Sequence, residues 1–209
     1  MFDKPLLRSL VVALACTASV GPLAGCVFPV LVGAVGAGAY SATDRRSIGA
    51  QTDDKVIASR VASRIDEAMS DRAHVNVNSF NRKVLLTGEV PDQASKDRAE
   101  QIAKGADNVA SVVSDLEVGG MTPSTARNND SFITGKVKTE LVSRKDIFAN
   151  AYKVVTEKSV VYQMGRVTRE EGERAAEAAR SVNGVQKVVK VFDYLSDQEL
   201  AQIQKTGAK

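Results

Sequence analysis

The sequence contains no tryptophan, one histidine, two cysteines and five prolines among 209 residues, and only 5% of it is aromatic. Each shortage removes a class of function. Without tryptophan and with few aromatic rings, there is no platform on which a cell-wall glycan would stack. Cys16 and Cys26 both lie near the N-terminus, so the rest of the chain has no thiol for a disulfide, a thiolate metal site or a nucleophile. The single histidine, His74, stands beside Val75 with no cysteine or second histidine at ligand spacing, which leaves no metal motif. A net charge of +3 is too slight for a nucleic-acid binder, and no nucleic-acid partner is expected. Gly33, Gly36 and Gly38 lack the basic residue and helix start that a phosphate loop needs, and no nucleophile elbow occurs. Asp53 and Asp54, being adjacent, do not face each other on a helix, so they are expected as acids at a helix start, as are Glu170 and Glu171. Nothing supports an enzyme: no catalytic residue, cofactor or metal is expected.

What is present begins at the N-terminus. Lys4 and Arg8 precede an apolar run at residues 10–15 and then small residues, the layout of an export signal. Gly21, Pro22 and Gly25 break that run well short of the ~20 residues of a membrane-spanning helix. The segment ends in Leu23-Ala24-Gly25-Cys26, which resembles the lipobox of bacterial lipoproteins. That resemblance implies cleavage before Cys26 and attachment of a diacylglycerol to its sulfur, making residues 1–25 a signal peptide. Val27 stands where lipoprotein families carry aspartate for inner-membrane retention, so the expected address is the periplasmic face of the outer membrane. Residues 26–52 then form a lipidated leader, and within its residues 27–42 Pro29, Gly33, Gly36 and Gly38 argue against a stable helix.

Further on, the pattern becomes periodic. Ile57, Val61, Ile65 and Met69 mark a helix beginning at Asp53-Asp54; Val75 and Val77, then Val84, Leu86, Gly88 and Val90, mark a hairpin turning at Asn81-Arg82. A second helix over residues 93–106 and a closing strand at Val109, Val112, Val113, Leu116 and Val118 complete the unit. The same order then recurs. A shift of 76 residues places Ile57 on Ile133, Val61 on Val137, Ile65 on Leu141 and Val112 on Val188, and Gly88 meets Gly165 after one inserted residue. The fold class is α+β: two tandem α-β-β-α-β domains, each with two helices on a three-stranded mixed sheet. Domain 1 is expected over residues 53–119, a linker over 120–129, domain 2 over 130–195 with Asp130 starting its first helix, and a C-terminal tail over 196–209. Cores this small are marginal alone, so the domains are expected to lean on one another.

This order, the strand Val-x-Leu-x-Gly-x-Val at residues 84–90 and the Asn183-Gly184-Val185 turn resemble the BON domain. Two such domains behind a lipobox resemble the dual-BON outer-membrane lipoproteins of Gram-negative bacteria, and the segment TDRRSIGAQTDD at residues 43–54 is similar to that family's approach to its first domain. The resemblance implies a non-enzymatic protein that binds anionic phospholipid (phosphatidylglycerol or cardiolipin) through the first helix of the second domain and supports outer-membrane integrity.

The residues of that helix agree. At about 100° per residue, Ile133, Val137 and Leu141 fall on one side, while Phe132 and Val142 project on another with Gly135 and Thr139 between them. Lys136 and Lys138 flank this patch. Aromatic, aliphatic, small and basic residues away from the core stripe form an interfacial membrane pattern. In the first repeat, positions 132, 142 and 143 correspond to Val56, Asp66 and Glu67, so only domain 2 is expected to touch anionic lipid. Charge follows the same division: residues 44–119 carry 11 basic and 13 acidic side chains, residues 127–209 carry 15 and 11. The alternative arrangement packs Phe132 against the neighbouring domain. The alternative function is an adaptor whose open sheet edge adds a strand from an outer-membrane protein assembly component.

Overall fold

The computed structural model describes residues 44–69 and 72–207. The signal peptide, the lipobox with Cys26 and the leader up to residue 43 lie outside them. Domain 1 comprises α1 (Ile48–Met69), β1 (His74–Phe80), β2 (Lys83–Val90), α2 (Gln93–Lys104) and β3 (Ser111–Val118). Domain 2 repeats this as α3 (Ser124–Ser143), β4 (Tyr152–Glu157), β5 (Val160–Val167), α4 (Arg169–Arg180) and β6 (Lys187–Tyr194), with a 3-10 turn, Ala149–Ala151, before β4. The central strand of each sheet pairs antiparallel with its hairpin partner and parallel with the strand reached through the second helix. The α+β class and mixed sheets are as the periodicity predicts.

Three expectations are corrected. α1 starts five residues before Asp53 and α3 six before Asp130, so these acids are not at helix starts. The stretch 196–209 is not a plain tail: it contains a helix, α5 (Asp197–Gly207), begun by Ser196, whose hydroxyl accepts from Glu199 N while Glu199 accepts from Ser196 N. Residues 124–129, expected as linker, are the first turns of α3.

Asp54 and Asp130 have a different task. Each lies in the interior of its helix, on the core stripe, and is 3% and 5% exposed respectively. Asp54 accepts from the backbone N–H of Asn81 at 2.7 Å and of Arg82 at 2.8 Å; Asp130 accepts from Lys158 at 2.9 Å and Ser159 at 2.8 Å. These are the two-residue hairpin turns, and all four turn residues have positive φ, between 48° and 65°. A turn of this kind suits the twist of its strands but normally relies on glycine or asparagine. Here only Asn81 is of that kind, and in both turns a carboxylate from the helix satisfies the amides.

Each sheet is buried on both faces. Toward the helices, Val84, Leu86 and Val90 pack with Ile57, Val61, Ile65, Ala99 and Ala103, and Val154 and Val161 with Ile133, Val137, Leu141 and Ala175. Toward each other, the two sheets share a second core of Phe80, Leu85, Tyr162, Met164 and Val191. The domains therefore do lean together, as layers of helix, sheet, sheet and helix. Gly88 explains the glycine of the strand motif: it has φ +113°, and a Cβ there would lie 2.0 Å from the His74 carbonyl. Across the boundary, Lys158 reaches Glu117 at 2.6 Å and Glu89 at 3.1 Å, and Lys83 reaches Asp193 at 2.5 Å. A strap at residues 44–46 joins both domains: Arg45 is bidentate on Glu171, while Arg46 pairs with Asp54 and stacks 3.8 Å over Phe80. The described residues belong to one compact unit and supply both helix–sheet cores and the core between the sheets.

Burial raises the Asp54 pKa, but hydrogen bonds from Arg82, Ser79, Arg46 and Asn81 outweigh it and hold the carboxyl below its ordinary 3.8. A depressed carboxyl contributes stability above the unfolded pKa and loses it as pH falls through the folded one. Asp54→Ala should lower unfolding free energy by about 3 kcal/mol at pH 7, since buried donors lose their acceptor and Arg46 its partner. Urea denaturation should show that deficit shrinking below pH 3.8.

Candidate functional site

Helix α3 is positioned by Ile133, Val137 and Leu141, which are buried on the sheet, and by Asp130 at the hairpin turn. Its other side faces outward. Phe132 and Val142 are each 71% exposed, which excludes packing of the ring against the neighbouring domain. The structure brings Phe132, Gly135, Lys136 and Thr139 together along a shallow groove of about 560 Å³. Its opposite wall is Ser181 and Val182, at the end of α4. Lys138 and Val142 are exposed on the same helix but do not line the groove. The wall from α4 is the part the sequence did not reveal, because it arises from contacts distant in the chain.

Chemically the patch is a greasy ridge with cations beside it. Neither Lys136 nor Lys138 forms a salt bridge among the described residues, whereas Glu140, the acid in the groove, is occupied by Arg144 at 2.9 Å. Thr139 donates its hydroxyl to the Gly135 carbonyl at 3.0 Å, so it contributes shape and not a free donor. A Cβ placed on Gly135 would meet nothing within 4 Å, and no contact inside the protein requires glycine there. On domain 1 the corresponding surface carries exposed Asp66 and Glu67. Among the described residues no three His, Cys, Asp or Glu side chains converge as a metal site, and no helix is long and apolar enough to cross a membrane.

These two units, duplicated and joined face to face, define a tandem-domain protein of one fold type. The BON domain family model matches residues 53–120 and 129–196, and the chain belongs to the BON-domain family. It is similar to the Outer membrane lipoprotein DolP of Haemophilus influenzae, with 36% identity over 175 residues, covering 83% of this chain and 90% of that one. It is also similar to the 21 kDa hemolysin of Actinobacillus pleuropneumoniae, with 35% identity over 154 residues, 73% of this chain and 79% of that one. Osmotically-inducible protein Y of Escherichia coli is 28% identical over 145 residues, 68% of this chain and 72% of its own length. The dual-BON organisation that the sequence resembles is thus shown.

Glycine in a helix interior costs roughly 0.5–1 kcal/mol relative to alanine. Because a Cβ at residue 135 meets open space, Gly135→Ala should raise the unfolding free energy by that amount in urea titrations. A decrease would mean that the glycine serves packing within the protein.

Proposed function

We propose that this protein is an outer-membrane lipoprotein held by acyl chains on Cys26, whose second domain rests α3 on anionic phospholipid and so supports outer-membrane integrity. The observation that carries this reading is the pair of projecting apolar side chains, Phe132 and Val142, beside Lys136 and Lys138, which have no salt-bridge partner among the described residues. Kinship with an outer membrane lipoprotein over most of the chain agrees with it. So does Leu23-Ala24-Gly25-Cys26.

The magnitudes fit a division of labour. Partial burial of Phe132 and Val142 yields about 2–3 kcal/mol. Each lysine adds on the order of 1 kcal/mol near an anionic surface. A sum of that size corresponds to roughly millimolar affinity for a free domain. Acyl tethering presents the domain to the bilayer at an effective concentration of similar order, so a contact this weak is occupied much of the time. The acyl chains attach; the helix selects the lipid.

Purified residues 44–209 should co-sediment with phosphatidylglycerol or cardiolipin vesicles and not with phosphatidylcholine vesicles, and less so at high salt. Phe132→Glu should reduce that binding at least tenfold while leaving thermal stability nearly unchanged, since the ring is exposed. Should the wild type ignore anionic vesicles, the adaptor function takes precedence and strand addition at a sheet edge becomes the target.

A further inference from the structure

The chain's only histidine lies at the boundary between the domains, on the face of β1 turned toward domain 2. A polar cleft of about 340 Å³ opens there, lined by His74, Asn76, Arg127, Thr134 and Glu157 among others, so the ring is in reach of solvent protons although its side chain is only 19% exposed. Its two nitrogens face groups from different elements. Nδ1 lies 3.4 Å from Nη1 of Arg127 on α3. Nε2 lies 3.3 Å from Nδ2 of Asn76 on its own strand and 4.0 Å from Oε1 of Glu157 on β4.

A guanidinium can only donate, so its contact with Nδ1 needs a lone pair there and hence a neutral ring with its proton on Nε2, toward Glu157. Asn76 Nδ2, itself a donor, then gives its hydrogen bond to Glu157 and only neighbours Nε2. Adding a proton replaces that lone pair with an N–H and sets two cations 3.4 Å apart. The same proton strengthens attraction to Glu157, whose side chain is 6% exposed and whose other oxygen accepts from Asn76 at 2.5 Å. Burial raises the Glu157 pKa, and the Asn76 hydrogen bond and the charge of His74 oppose that rise. The remaining acids near Glu157 are Asp130 on α3 and Glu89 on β2. Both are already engaged, Asp130 with the Lys158-Ser159 turn and Glu89 with Thr122 and Lys158. A charged imidazole is therefore kept by Glu157, and Arg127 is the group that leaves.

Where Arg127 goes follows from the helix. Positions 127, 131, 135, 138 and 142 fall within roughly 80° of one another around α3, which puts Arg127 at the head of the stripe containing Gly135, Lys138 and Val142. We propose that His74 is a proton-operated latch: neutral, it holds Arg127 against domain 1; protonated, it frees Arg127 to join the lipid-facing side of α3. Domain 1 thereby sets how strongly domain 2 grips anionic membrane, and acid tightens the grip. The lipid consequence rests on the function proposed above, whereas the latch itself does not.

The test uses residues 44–209, which contain both complete cores. Phosphatidylglycerol vesicle binding is measured at pH 7.5 and 5.5, across the range in which histidine ordinarily titrates. One added cation near an anionic surface predicts about five-fold tighter binding at the lower pH. His74→Gln and Arg127→Gln should each flatten that ratio to near unity. Because His74→Gln keeps Glu157, it also subtracts any titration of that acid. In parallel, lipid-free 1H–15N spectra should show the amides of residues 124–131 titrating together with the His74 ring, and not in His74→Gln. A wild-type ratio equal to that of His74→Gln, or amides that ignore the ring, overturns the latch. Binding at neither pH with amides that follow the ring overturns the lipid function and supports the latch.

Discussion

Each domain depends on one carboxylate accepting two backbone amides from a turn in the left-handed conformation. Non-glycine residues pay on the order of 1 kcal/mol or more for such backbone angles, and here Asn81-Arg82 and Lys158-Ser159 adopt them without a glycine. Asp54 and Asp130 offset that cost from inside the first helix. The bond therefore does two things. It closes the hairpin, fixing the register that puts Val84 and Leu86, or Val161, toward the core. It also locks the helix over that hairpin at one rotation, and this decides which residues of α1 and α3 point away from the protein. The outward direction of Phe132 is a consequence of where Asp130 is held.

Duplication then uses up the inner surfaces. The sheets bury Phe80, Leu85, Tyr162 and Met164 against each other, and the turn tips pair with the far strand of the opposite domain, Lys158 with Glu117 and Asn81 with Asp193. Asp193 is the counterpart of Glu117 one repeat later, so the two contacts are related by an approximate twofold. The Arg45-Arg46 strap closes the same boundary from outside. With both inner sheet faces committed, the helix faces are left to diverge, and a difference between α1 and α3 is where the two copies have room to differ in the surface they present.

Local periodicity made much of this legible. The stripes Ile57-Val61-Ile65 and Ile133-Val137-Leu141 and the alternation around Gly88 are properties of consecutive residues, and they fix elements, order and duplication. The patch on α3 was legible for the same reason, since angles around a helix follow from spacing alone. Helix starts were not, because residues 48–53 and 124–129 carry no apolar stripe to mark them. Asp54 and Asp130 read as helix-start acids, although a contrary signal exists: each lies three residues before the apolar stripe and in register with it, a position that buries a carboxylate. The core between the sheets was hidden because β2 is buried on both faces, and Leu85 between Val84 and Leu86 does not say what covers its second side, which also carries Thr87 and Glu89. The strap, the groove wall at Ser181-Val182 and the surroundings of His74 all depend on contacts far apart in the chain.

How a shared scaffold yields one basic surface and one neutralised surface can be followed at a single pair of positions. In domain 1, Arg60 occupies the place of Lys136 and is paired with Asp107 at 3.2 Å. One repeat later Asp107 becomes Asn183, so the acid is replaced by a neutral amide. Lys136 keeps its charge and has no salt-bridge partner among the described residues. An exposed pair of this kind contributes little stability, so removing the acid costs the fold almost nothing while leaving an uncompensated cation beside Phe132. Gly135 is the complementary change: its counterpart in domain 1 is Ser59, and glycine gives up helix stability in return for a flat approach next to the ring. Both substitutions are close to neutral or unfavourable for the isolated domain and, on the function proposed above, favourable for contact with an anionic bilayer. Selection for folding alone supplies no reason for either, and together they point outward from α3 to what it meets.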